Sequence, residues 1–184
     1  MALDLWRGAR RTHRPANKPD LRSVNPAELS IRREHPDQPE VRALLAALDA
    51  YLAGLYAPEH NHTLDVVALV SDEVDFLVAR HAGVAVACAA ARAMPGEPDS
   101  GGKAYGEIKR MYVDPAWRGQ RLAERLLAQL EAGLLARGLS LALLETGRDQ
   151  LEAVRLYQRC GYCLRGNFGG YPDNGLSAFY FKPL

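Results

Sequence analysis

The 184-residue chain is poor in lysine, in cysteine and in long apolar runs, and each shortage excludes something. Its longest stretch without a charged or strongly polar residue is Ala82 to Ala91, well short of the roughly 20 apolar residues a membrane-spanning helix needs. No charged, apolar, small-residue succession of a signal peptide opens the sequence, so a soluble protein is expected. Three cysteines (Cys88, Cys160, Cys163) are too few and too unevenly placed for a disulfide framework, and a reducing compartment, the cytoplasm, is the expected location. A large charge of either sign is also missing. The net +1 argues against a nucleic-acid coat, and no nucleic-acid or membrane partner is expected. What the chain has instead is arginine, nineteen residues against four lysines, and the guanidinium fork suits phosphate. A hydrophobic content of 48% fits one packed domain.

Residues 1–26 stand apart. Arg7, Arg10, Arg11, Arg14, Lys18 and Arg22 face only Asp4 and Asp20 with few apolar neighbours, which reads as a basic arm. It is either a loosely attached terminus or a tether to an anionic partner. The domain proper is expected over 27–184. Leu29 to Glu34 reads as a strand. Val41, Leu44, Leu45, Leu48, Leu52 and Leu55 give Gln38 to Tyr56 a helical period, and a short helix is expected over Thr63 to Val70. Asp75 to Arg80 and Gly83 to Arg92 form a hairpin pattern, followed by a Pro/Gly-rich loop over Pro95 to Gly102. In the second half, a strand over Tyr105 to Val113 precedes a helix over Gln120 to Arg137 that Gly138 closes. A near-continuous apolar strand follows over Leu139 to Glu145. The next helix is expected to be capped by Asp149 with Glu152, and to end at Gly161. Tyr162 to Leu164 and Leu176 to Phe181 are strands around a Gly-rich loop. Hairpins first and helix-linked strands later predict an α/β fold with a mixed, mostly antiparallel central sheet flanked by helices, not a doubly wound sheet.

The chemistry concentrates between Met111 and Leu127, where a strand turns sharply at Asp114-Pro115 into a helix start that holds Arg118, Gly119, Arg121 and Arg125. A helix N-terminus presents unpaired N–H groups and a partial positive charge, so this reads as a phosphate site, against the alternative of a solvated arginine face. Gly106-Glu-Ile-Lys-Arg-Met-Tyr-Val-Asp-Pro-Ala-Trp-Arg-Gly-Gln-Arg-Leu-Ala123 resembles the acyl-CoA-binding segment of the GNAT acyltransferase superfamily. So does the linked stretch Leu143-Leu-Glu-Thr-Gly147 with Ala153-Val-Arg-Leu-Tyr-Gln-Arg-Cys-Gly-Tyr162. The detailed match covers residues 105–182. Arg121 departs from the superfamily pattern, standing where glycine is usual.

This resemblance implies an acyl-CoA acyltransferase fold with splayed central strands. The backbone of Met111, Tyr112 and Val113 would then pair with the pantetheine arm of acetyl-CoA as an added strand. Gln120, Arg121, Leu122 and Ala123, reached closely through Gly119, would hold the pyrophosphate with Arg118 nearby. Gln150 stands where an amide often contacts the cofactor. Tyr157 matches the superfamily's proton donor to the CoA sulfur, or is a core aromatic. Glu107 is the expected base, or a solvent-facing partner of Lys109. If strand alternation is unbroken, both share a face with Met111 and Val113.

An alkylamine with a pKa near 10.4 must lose a proton before it can attack, at a cost of roughly 4 kcal/mol at neutral pH, hence the need for a base. Phe168 and Tyr171 sit in an aromatic loop that could lid the acceptor; Gly169 and Gly170 suit a hinge or an ordinary tight turn. His62, beside His60, is an acceptor contact, a metal ligand or a solvated loop residue. Cys160-Gly-Tyr-Cys163 has redox spacing, but it closes a helix instead of opening one, where the helix charge has the wrong sign for a thiolate. No metal site is expected. The whole reads as an N-acetyltransferase moving acetyl from acetyl-CoA to a primary amine of a small molecule by direct attack in a ternary complex. A non-catalytic acyl-CoA sensor and a protein or peptide acetyltransferase are the alternatives, and a homodimer is left open.

Overall fold

The computed structural model describes residues 28–57, 60, 63–172 and 174–184. The basic arm over 1–26 and His62 lie outside the described residues. In chain order the elements are β1 (Leu29–Arg33), α1 (Pro39–Ala53), α2 (Val66–Leu69), β2 (Val74–His81), β3 (Val84–Met94), β4 (Tyr105–Val113), α3 (Leu122–Ala136), β5 (Leu141–Gly147), α4 (Leu151–Arg159), β6 (Cys163–Arg165) and β7 (Ser177–Pro183). The seven strands form one sheet in the order β1-β2-β3-β4-β5-β7-β6, antiparallel except where β4 meets β5. The expected fold class is the one observed.

Local chemistry sets the boundaries. The β2–β3 hairpin turns at Ala82 and Gly83, both at positive φ, the turn hand that matches strand twist. Helix α3 starts at Leu122, not at Gln120, because Arg121 takes a left-handed conformation with φ of 58°. Its far end is a paired C-terminal cap. Gly138 N–H donates to Leu135 and Leu139 N–H to Leu134, so Leu139 belongs to the cap and β5 begins two residues beyond the expected Leu139. The sequence-based cap of α4 is corrected too. Gln150 is the capping position and makes no side-chain cap bond, while Asp149 contributes its carbonyl to Leu151 N–H.

Two apolar layers sandwich the sheet. On one face the α3 stripe of Leu122, Leu126, Leu127, Leu130 and Leu134 packs with Leu156 and Tyr157 of α4 over Ala87, Ala89, Ala91 and Ile108. On the other, Val41, Leu44, Leu45 and Leu48 of α1 cover Phe76, Val78, Cys88, Ala90 and Tyr112. Further along that second face, Phe168 from the β6–β7 loop seals Tyr105, Leu143 and Phe179. Alanine and glycine in the sheet let helices approach. A Cβ on Gly106 would lie 2.2 Å from a methyl of Leu134, so α3 sits where only glycine fits.

Candidate active site

The site begins with two irregularities in the middle of the sheet. Strand β4 pairs with β5 only over Gly106–Ile108 against Ala142–Leu144. Beyond that the two diverge, β4 following β3 and β5 following β7, which leaves a fork with backbone groups on both inner edges. The second irregularity is a bulge. Ala89 of β3 faces both Arg110 and Met111, with Arg110 at φ of 55°. The extra residue breaks the alternation: Glu107, Lys109 and Arg110 turn to the α1 face, whereas Met111 and Val113 join Ile108 against α3. Glu107 and Lys109 therefore do not share a face with Met111 and Val113.

Two cavities open from the fork. The larger, about 420 Å3, is lined by Met111, Tyr112, Val113, Trp117, Arg118, Gly119, Arg121, Leu122, Ala123, Gln150 and neighbouring residues of α4. At its floor is the start of α3, whose capping residue supplies no side-chain acceptor. The first-turn N–H groups, which have no carbonyl inside the helix, belong to Leu122, Ala123 and Glu124, all of which line the groove. Gly119, with φ of 85°, makes the approach. Arg121 takes the glycine-like backbone while its side chain points outward, 84% exposed, with Glu124 3.8 Å away. Arg118 stitches the turn, donating from Nε to the Val113 carbonyl at 3.2 Å and facing Glu152 at 3.3 Å. The Gln120 amide donates to the Trp117 carbonyl, so its side chain braces the loop.

The smaller cavity, about 120 Å3, lies on the α1 side and is lined by Leu52, Tyr56, His60, Thr63, Lys109, Arg110, Glu145, Tyr157, Ser177 and others. Leu48, Met111, Gln150 and Ala153 line both cavities. They mark the place where a ligand in one meets a ligand in the other.

Tyr157 is 6% exposed, its ring fixed against Tyr162 and Tyr180. Burial first, and then the Glu145 and Cys160 charges, push its phenol above the usual tyrosine range, so it keeps its proton at any ordinary pH. The residue belongs to the core and also lines the smaller cavity. Glu107, the expected base, is buried and does not line either cavity among the described residues. Its Oε1 accepts from the Tyr171 hydroxyl at 2.5 Å, and the Lys109 ammonium is 3.4 Å away. Lys109 also donates to the Tyr171 hydroxyl. Burial and the Glu107 charge raise the Tyr171 phenol as well.

Phe168 is a core residue, 1% exposed, and not part of the cavity wall. Its loop is pinned: Glu97 accepts from Tyr105 and from Gly169 N–H, each at 2.9 Å. Arg110, with its side chain 3% exposed, pairs bidentately with Asp49 of α1 and holds that helix to the bulge. The sequence reading missed Arg110, Asp49 and Glu145. Only Glu145 left a signal, a lone acid closing an apolar strand. Cys160 and Cys163 are free thiols, and burial raises the Cys160 thiol, opposite to what a redox nucleophile needs. Among the described residues no metal-binding cluster of His, Cys, Asp and Glu occurs and no helix is long and apolar enough to cross a membrane.

An interrupted sheet, a helix start with no side-chain cap and a second cavity across the gap make up the candidate site. Comparison with known proteins makes this specific. The family model described as Acetyltransferase (GNAT) family matches residues 33–162. The chain is 44% identical over 156 residues to a protein named IAA acetyltransferase from Azospirillum brasilense, covering 85% of this chain and 98% of that one. A structure from Klebsiella pneumoniae assigned as an acyl-CoA N-acyltransferase superposes with a TM-score of 0.68 at 38% identity, over 86% of this chain and 99% of the other. A GNAT acetyltransferase from Elizabethkingia anophelis with acetyl-CoA bound shares the fold, with a TM-score of 0.57 at 15% identity over 85% and 99% of the two chains. The chain belongs to the GNAT acetyltransferase family. It is an acetyl-CoA-dependent acetyltransferase, with acetyl-CoA as co-substrate.

Proposed function

We propose that the protein acetylates a primary amine of a small molecule, held in the smaller cavity, by direct attack on the thioester. The carrying observation is the meeting of the two cavities at Leu48, Met111, Gln150 and Ala153. A second support is size: about 120 Å3 lined by α1, β4, β5 and the start of β7 suits a small acceptor better than a peptide. The 44% identical relative is named for IAA, which is consistent with a small acceptor.

In this reading the inner edge of β4 at Met111, Tyr112 and Val113 bonds the pantetheine amides as a neighbouring strand would. The N–H groups from Gly119 to Ala123 hold the pyrophosphate, with Arg118 fixing the loop and Gln150 at the junction. The Met111 to Val113 N–H groups also lie where they can stabilise charge that builds on the thioester carbonyl oxygen. Tyr157 keeps its proton for the departing sulfur. Glu107 anchors Lys109 and Tyr171 beside the acceptor.

The test is a panel of small amines and amine-bearing peptides with acetyl-CoA, followed by thiol release. Turnover of small amines is the expected result. Turnover confined to peptides, or acetyl-CoA binding with no turnover at all, overturns the proposal.

A further inference from the structure

The amine of the proposed acceptor must lose a proton inside the smaller cavity, and two carboxylates stand near it. Glu107 is covered by Tyr171 and Lys109. Glu145 is the first residue of β5 past its last pair with β4, the Leu144–Ile108 pair, so the strand divergence itself opens space in front of it. It lines the cavity together with Tyr157, Met111 and Lys109, and it is half-buried, not sealed. One carboxylate oxygen, Oε1, accepts from the Ser177 hydroxyl at 2.6 Å. Among the described residues nothing donates to the other. A cavity-lining carboxylate anchored through one oxygen keeps the other for a proton, as a positioned proton acceptor requires.

We infer that Glu145 is the general base of this acetyltransferase and that Glu107 positions Lys109 and Tyr171. The inference rests on the amine-acceptor reading above. Glu145 takes one proton from the bound ammonium, leaving a neutral amine with its lone pair available. The nitrogen lone pair forms the C–N bond to the acetyl carbon, and the C–S bond breaks with its electron pair going to sulfur. Tyr157 gives its proton to that sulfur and is reprotonated by the second proton leaving nitrogen. The first proton passes from Glu145 to water. One amide, one thiol and one released proton balance the ammonium and thioester consumed.

The titratable and charged groups that share the cavity with Glu145 are Lys109 and Arg110 from β4, Tyr157 from α4, and His60 and Tyr56 from the loops after α1, with Tyr171 farther along the same face. Burial pushes the Tyr56, Tyr157 and Tyr171 phenols upward, so they stay neutral.

The experiment compares wild type, E145Q and E107Q with acceptors of two kinds: alkylamines, charged at pH 7, and weakly basic amines such as aniline-type or acyl-hydrazide compounds, already neutral there. Glutamine keeps the bond to Ser177, and calorimetric binding of acetyl-CoA together with thermal melting reports whether the variant is folded. E145Q is expected to lose 100-fold or more of kcat toward alkylamines and less than about 5-fold toward weakly basic ones. The alkylamine rate should recover as the pH is raised. E107Q is expected to affect both kinds of amine alike. An equal loss for both kinds in E145Q, no loss in E145Q, or a selective loss in E107Q overturns the inference. Wild type inactive toward every amine would instead overturn the amine-acceptor reading, and with it the need for a base.

Discussion

The Tyr171 hydroxyl donates to Glu107 across 2.5 Å, joining the β6–β7 loop to the buried middle of β4 with Lys109 as the third member. Glu107→Gln breaks the buried Glu107–Lys109 ion pair and removes the charged acceptor of the Tyr171 hydroxyl, and is expected to cost about 3 kcal/mol of stability. Lys109→Met in the same background should restore about half of that loss. Urea melts of the two single variants and the double variant measure the coupling, and simple additivity would refute it.

Tyr157→Phe keeps the ring packing and deletes only the proton donor. kcat is expected to fall about 100-fold with acetyl-CoA affinity within 2-fold of wild type. Single-turnover kinetics and calorimetry check the two halves separately. A fall in affinity would mean that the hydroxyl holds the carrier instead of protonating it.

Alkaline stability follows from the same residue and its neighbours. Burial raises the phenols of Tyr105, Tyr157, Tyr162 and Tyr171 above the ordinary value of 10.0. Folding therefore favours their protonated forms, and the stability they add is complete below pH 10 and lost as pH rises beyond it. Tyr157→Phe should make that loss shallower by about 1.4 kcal/mol per pH unit. Denaturant midpoints between pH 9 and 11.5 read the slope directly; identical slopes would show that Tyr157 is not buried as described.

Arg121 carries the backbone of a glycine without being one. Arg121→Gly removes a left-handed strain of about 1 kcal/mol, partly offset by the greater freedom of glycine when unfolded. A small rise or no change in melting temperature is expected. Acetyl-CoA affinity should drop about 3-fold at low salt and match wild type at 0.5 M salt, because the exposed guanidinium acts only through its field. A salt-independent loss would place Arg121 in direct contact with phosphate.

Gly106→Ala drives a methyl into the Leu134 side chain. A stability loss of about 2 kcal/mol is expected. The double variant Gly106→Ala, Leu134→Ala should be more stable than the two single losses combined predict, since the second change makes room for the first. Chemical denaturation decides it.

Most of the fold was legible because its signals are local. The apolar periods of α1 and α3, the glycine stops at Gly138 and Gly161, and the bounds of β4 all lie in the order of residues along the chain. The helix-start groove was legible from the turn and glycine in the run Gly106 to Ala123, while the fork was expected only through the family resemblance which that run carries. The bulge at Arg110 was not, because an inserted residue shows only against its neighbour β3. That one unread residue reversed the face assigned to Met111 and Val113. Glu145 escaped for a related reason: what exposes it is the end of pairing with a strand more than thirty positions earlier. The role of Phe168 depended on Glu97 tethering its loop, a contact across some seventy residues.

A sheet that parts in its middle carries four rims where an ordinary one has two. The inner pair borders the groove lined by Leu48 and Tyr51 of α1 and by Ala153 and Leu156 of α4. Backbone groups left over by the parting are thus presented to whatever enters that groove, and a guest carrying amides can meet them as a missing strand would.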